Sequence, residues 1–111
     1  AAAGAGGAGS GRRAEILLAG GQMSAARATL RVGNDRGVHG RVATRLAEIA
    51  MEHNASLRID RDGEQADCAS ILEVLALALA CGDTVHLEAA GEQAEAALAA
   101  AHLVLTRRDD P

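Results

Sequence analysis

Apolar and polar positions alternate along "ATLRV", with Leu30 and Val32 on one side and Thr29 and Arg31 on the other. A period of two predicts a strand with one buried face. The polar loop "GNDRG" follows, and from Gly40 to His53 the period changes. Val42, Leu46, Ile49, Ala50 and His53 recur at spacings of three and four, which predicts an amphipathic helix. "ASLRID" alternates again with Ala55, Leu57 and Ile59 inward, "RDG" turns the chain, and "EQADC" predicts the returning strand of a hairpin. "SILEVLALALA" predicts a second helix over residues 70–80. "TVHLEA" predicts a fourth strand, with Val85, Leu87 and Ala89 on one face. A last helix is predicted from about Glu92 to Leu105, with Ala94, Ala97, Leu98, Ala101 and Leu105 as its buried stripe.

The order is strand, helix, strand, strand, helix, strand, helix. With one-sided strands it predicts an α+β fold, an open-faced β-sandwich in which a four-stranded antiparallel sheet carries three helices on one face. This domain is expected over residues 28–111. Residues 1–13, "AAAGAGGAGSGRR", offer little side chain to bury and too much glycine for a stable helix. Residues 1–27 therefore read as a flexible Ala/Gly-rich arm or linker, in which "AEILLAGG" forms at most a brief helical turn.

Composition narrows the function. The 111 residues are 49% hydrophobic yet contain no Phe, Tyr or Trp, so the core must be built from Leu, Ile, Val and Ala. Aromatic platforms for stacking bases are absent, and a net charge of −4 opposes general affinity for nucleic acid or anionic membranes. Cys68 and Cys81 form no CxxC pair, and no secretory signal is recognisable, so the chain reads as cytoplasmic with reduced thiols. The longest apolar run, "ILEVLALALACG", is interrupted by Glu73 and too short to span a bilayer. No cofactor motif stands out, and the spacing of His86 and His102 offers no metal template.

Candidate chemistry concentrates in "RGVHGRVA", where His39 stands between glycines at the predicted helix start and Arg41 lies just inside the helix. The first turn of a helix leaves backbone N–H groups unpaired and carries partial positive charge. A glycine there lets an anion approach the backbone closely. Imidazole offers an unprotonated nitrogen near neutral pH, and that nitrogen can attack phosphorus. The helix end and the Arg41 guanidinium can then partly neutralise the phosphoryl group. Taken alone, a histidine at a helix start is also simply explained as a capping or surface residue.

Residues from about Ala28 to Arg107 resemble the histidine-containing phosphocarrier family, HPr, of the bacterial phosphoenolpyruvate:sugar phosphotransferase system. "GVHGRVA" is similar to that family's Gly-Leu-His-Ala-Arg-Pro-Ala signature, and "RDGEQADCASILEVLALALACGDTVHLEAAG" resembles its second signature around Lys-Ser-Ile-Met. The resemblance implies the same fold that periodicity predicts. It implies that His39 accepts a phosphoryl group on Nδ1 from phospho-Enzyme I and passes it to sugar-specific enzyme II components, with Arg41 steadying the phosphate. It implies that Ser70 matches a serine phosphorylated by an HPr kinase in some bacteria, and that Ile71, Leu72 and Leu75 match an apolar docking surface for partners. A carrier of this kind is covalently modified by other enzymes and has no turnover of its own, and a monomer is expected.

The chain departs from the signature at two positions beside the acceptor. Val42 stands where the family usually has proline, which restores a backbone N–H, and Gly40 replaces the usual alanine. Both are therefore assigned to phosphate positioning. "SILE" is also a capping box, which explains Ser70 as an N-cap with Glu73 reaching back; a phosphoserine there would be repelled by that carboxylate. His53 reads as a partner for a helix C-terminus, Cys68 and Cys81 as small packing residues, and Arg107 and Arg108 as complements to the last helix's C-terminus. Two alternatives share parts of the pattern. One is an HPr-like regulatory module, or a carrier domain of a multidomain phosphotransferase such as a dihydroxyacetone-kinase phosphoryl donor. The other is an acylphosphatase-like hydrolase, which the lack of aromatics and the position of His39 disfavour.

Overall fold

A computed structural model describes residues 15–19 and 23–109. Their elements run β1 (Glu15–Ala19), β2 (Met23–Arg31), α1 (Gly40–Glu52), β3 (Ala55–Arg61), β4 (Glu64–Asp67), α2 (Ile71–Ala76), β5 (Thr84–Gly91) and α3 (Ala94–Thr106). The strands form one antiparallel sheet in the order β1-β2-β5-β3-β4. The four expected strands are its β2-β5-β3-β4 portion, with Leu30 opposite Val85 and Ile59 opposite Leu87.

Alternation decides which face of the sheet is covered. Ala26, Ala28 and Leu30 of β2, Val85, Leu87 and Ala89 of β5, and Leu57 and Ile59 of β3 are buried. Their neighbours Arg27, Thr29, Arg31, His86, Glu88 and Arg58 are exposed on the opposite, open face. Val42, Leu46 and Ile49 of α1, Val74 of α2, and Ala97, Leu98, Ala101 and Leu105 of α3 complete the core. With no ring to fill space, the alanines of α3 let that helix lie close to the sheet, and aliphatic contact supplies the stabilisation. The result is the expected open-faced α+β sandwich.

Three expectations need correction. β2 begins at Met23, so the expected domain boundary at residue 28 falls inside a strand. Part of the expected arm is also a strand, because β1 pairs along β2 with Glu15 opposite Arg27 and Ala19 opposite Met23. Pairing with β2 replaces the helical turn expected over "AEILLAGG"; residues 1–14 and 20–22 of the arm lie outside the described residues. The second helix is shorter than predicted: it ends at Ala76, and Ala78 adopts φ 53°. Leu77 and Leu79 are instead buried from an irregular segment, and the Leu79 carbonyl accepts from Val38 N at 2.9 Å. An apolar run reads alike whether helical or extended, so its hydropathy did not mark this end.

The "RDG" turn is as expected. Asp62 and Gly63 both have positive φ, 54° and 89°, the combination a two-residue hairpin turn needs to match strand twist. A further tie fixes the segment before β5. The Asp83 carboxylate accepts from Ala80 N at 2.8 Å and from Arg61 Nη1 at 3.2 Å, and these bonds hold its carboxyl below the usual carboxylate range.

Candidate functional site at the start of the first helix

The loop from β2 to α1 is held at both ends. The Asn34 carbonyl accepts from Gly37 N at 2.9 Å and closes a turn, and Val38 N then donates to Leu79 O. Gly37 has φ 73°, and a Cβ there would lie 2.5 Å from the Leu79 carbonyl oxygen, so only glycine fits this crossing. His39 follows as the N-cap of α1, with extended backbone at φ −106° and ψ −169°. Its carbonyl accepts the first helical bond from Ala43 N at 2.9 Å.

The half-buried imidazole turns toward the helix end, where Nδ1 accepts from Arg41 N at 3.3 Å. An N–H has no lone pair to offer, so this contact requires an unprotonated Nδ1. At 3.3 Å the bond is long for its kind and easily exchanged for a better acceptor. Val42, the third helical residue, is fully buried and its N–H lies in the same first turn. A Cβ at Gly40 would meet nothing within 4 Å, so packing does not demand glycine there.

Arg41 is exposed and takes part in none of the ion pairs among the described residues. One turn on, Arg45 is engaged by Glu48 and Glu52, each at 3.1 Å. An open groove lined by Gly40, Arg41, Thr44, Arg45 and Glu48 runs along this flank of α1. The helix thus begins with a cation available to an anion, and its second arginine is already neutralised.

Ser70 lies on another element and does act as the N-cap of α2, with Oγ accepting from Glu73 N at 3.3 Å. The expected reciprocal half of the capping box is different. Ser70 N donates to Asp67 O at 2.9 Å, and Glu73 Oε1 instead accepts from Asp67 N at 3.0 Å. Of the residues assigned to docking, Leu72 is 79% exposed, whereas Ile71 and Leu75 are half-buried against the core. The presented apolar surface is therefore mostly that of Leu72.

The remaining candidates are structural. His53 caps the end of α1, its Nδ1 2.8 Å from the Ile49 carbonyl. His86 lies on the open sheet face beside Thr29 Oγ1 at 2.9 Å, and His102 is half-buried on α3. Cys68 is buried, and desolvation pushes its thiol up to about 12; Cys81 is exposed, contrary to the packing role expected for it. No group of three or more His, Cys, Asp or Glu residues among those described could hold a metal ion. No helix among them is long and apolar enough to cross a membrane.

Sequence reasoning passed over Asn34, the one polar or charged residue fully buried among those described. Its Nδ2 donates to Val104 O at 3.0 Å and Arg107 O at 2.7 Å at the end of α3. The basic pair expected to complement that end behaves otherwise, because Arg108 Nε pairs with Asp35 at 3.5 Å. The only sequence signal was the position of an asparagine inside the loop that precedes His39.

A family model described as "PTS HPr component phosphorylation site" matches residues 26–106. The phosphocarrier protein NPr of Shewanella violacea is 40% identical over 65 residues, which cover 59% of this chain and 71% of that protein. The phosphocarrier protein HPr of Cupriavidus necator is 32% identical over 75 residues, covering 68% of this chain and 84% of that protein. The phosphoryl donor subunit DhaM of the PEP-dependent dihydroxyacetone kinase from Pantoea ananatis is 36% identical over 72 residues, 65% of this chain but 15% of that protein. Among solved structures, the phosphocarrier protein HPr of Bacillus anthracis matches with a TM-score of 0.69 at 25% identity, covering 73% of this chain and 96% of that one.

Proposed function

Since the chain belongs to the PTS-HPr family, whose model spans residues 26–106, we propose that it is a phosphocarrier with His39 as the acceptor. The observation that carries the reading is His39 Nδ1 accepting from Arg41 N in the first turn of α1. In the transfer, the Nδ1 lone pair attacks phosphorus, the bond from phosphorus to the donor's leaving atom breaks, and the phosphoryl group rests on Nδ1. Its oxygens then take over the Arg41 N–H that Nδ1 gives up. The Val42 N–H, which proline would lack, adds a second backbone donor, and the Arg41 side chain supplies charge.

The partners under this reading are Enzyme I as donor and enzyme II components as acceptors, with the chain acting as a cytoplasmic monomer. Leu72, flanked by the half-buried Ile71 and Leu75, forms the apolar surface offered to these partners. Ser70 serves as a helix cap, and the Glu73 and Asp67 carboxylates beside it oppose phosphorylation by a kinase. Similarity to DhaM favours one second reading, in which the same carrier chemistry belongs to a dihydroxyacetone-kinase system.

Incubation with phosphoenolpyruvate and Enzyme I tests the proposal. The chain should acquire an acid-labile, alkali-stable phosphate that His39→Ala abolishes. No label on the wild-type chain, or equal label on His39→Ala, would overturn it. Val42→Pro removes one donor and should shorten the lifetime of the phosphohistidine, by about tenfold or more for one hydrogen bond to an anion. Onward transfer to enzyme II components or to dihydroxyacetone kinase separates the two readings.

A further inference from the structure

We infer that Asn34 is a positioning residue for phosphoryl transfer, holding His39 in place by fastening the loop before α1 to the C-terminal end of α3. The inference rests on the carrier reading of His39. Three consecutive residues make four bonds to that helix end. Gly33 N donates to Leu105 O at 2.8 Å, the Asn34 side chain to Val104 O and Arg107 O, and Asp35 N to Arg108 O at 3.1 Å. Both acceptors facing the amide are carbonyls, so its nitrogen must point at them.

These carbonyls belong to the last turn and C-terminal flank of α3, where the helix leaves acceptors without internal partners. A neutral amide is a side chain of this length that can bring two donors from one atom without introducing charge. The arrangement carries a penalty, because Asn34 Oδ1 is buried and finds no hydrogen-bond partner. Little slack separates this anchor from the acceptor. The turn bond from Gly37 N to Asn34 O and the bond from Val38 N to Leu79 O tie the intervening chain, and His39 is the next residue. Displacement of Asn34 therefore passes along the backbone to the imidazole and its contact with Arg41 N.

A purely structural Asn34 would change stability and nothing else, and a matched control separates the two roles. Leu57→Ala empties a buried site near the far end of the sheet, where Leu57 lies opposite Ala89, away from the loop. Asn34→Ala removes both donors, and Asn34→Ser keeps a single hydroxyl donor and carries the test should the alanine variant not fold. At a temperature where each variant gives a folded circular dichroism spectrum, acceptance of phosphoryl from phospho-Enzyme I is timed. Asn34→Ala should lower kcat by roughly 10- to 100-fold, the scale of a misplacement near 1 Å. KM should hold, Asn34→Ser should fall between, and Leu57→Ala should keep the wild-type kcat. The 15N signals of the His39 ring should move from one tautomer toward a mixture in the Asn34 variants alone. Wild-type kcat and unchanged ring signals in a folded Asn34 variant would overturn the inference. If the wild-type chain accepts no phosphoryl group, the carrier reading fails, and the ring signals still decide whether Asn34 sets the imidazole.

Discussion

Substituting Gly37 by alanine should loosen the domain and its acceptor loop together. Gly37 sits at φ 73°, and a β-carbon there would lie 2.5 Å from the Leu79 carbonyl oxygen and 3.1 Å from Ala80 Cα. Two effects add. A non-glycine residue in the left-handed region costs about 1–2 kcal/mol. Moving the Leu79 backbone aside also weakens its bond from Val38 N, worth about 1 kcal/mol for a buried backbone pair. The sum is about 2–3 kcal/mol, or roughly 10–20 °C in Tm for a domain of this size. Gly63→Ala isolates the first effect, since Gly63 has φ 89° but nothing within 4 Å of an added Cβ. It should cost about 1–2 kcal/mol and leave His39 unaffected. Urea unfolding followed by far-ultraviolet circular dichroism is the assay, because the chain has no aromatic fluorophore. Equal losses for the two variants would refute the collision. A Gly37→Ala chain as stable as wild type would refute both effects.

Stability should fall in alkali through Cys68. Burial raises its thiol from 9.0 in the ordinary case to about 12 in the fold, so the stabilisation is fully present below pH 9 and lost as pH rises toward 12. The slope is about 1.4 kcal/mol per pH unit above 9, and urea titrations of Cys68→Ala should lack that component of the alkaline loss. A thiol reagent under native conditions should modify exposed Cys81 quickly and Cys68 only on unfolding. Ser70→Ala removes the oxygen that accepts from Glu73 N and should cost about 1 kcal/mol in the same unfolding assay, whereas Ser70→Asn keeps an acceptor without added charge and should cost less.

The periodicities of β2, α1, β3, β5 and α3 were legible because each element satisfies its backbone locally or with near neighbours and presents one apolar face. For the same reason the helix start at His39 was legible in the sequence. Features that depend on a distant partner were not legible. "EILLA" has no alternation and stands among glycines, so only its pairing with β2 makes it a strand. "VLALALA" continues a helical composition past Ala76, but the chain must turn there for Leu77 and Leu79 to reach the core and for Leu79 O to meet Val38 N.

The sequence by itself therefore determined the sandwich, its inward faces, and an imidazole beside an arginine at the head of a helix. Hydropathy period and capping chemistry act over a few residues and are written where they act. Tertiary structure alone decided how firmly that imidazole is held, because Asn34 finds its acceptors 70 and 73 residues away along the chain. It also decided which apolar side chains of α2 remain exposed, since Leu72 and Leu75 are equally apolar on paper and differ only in what packs over them.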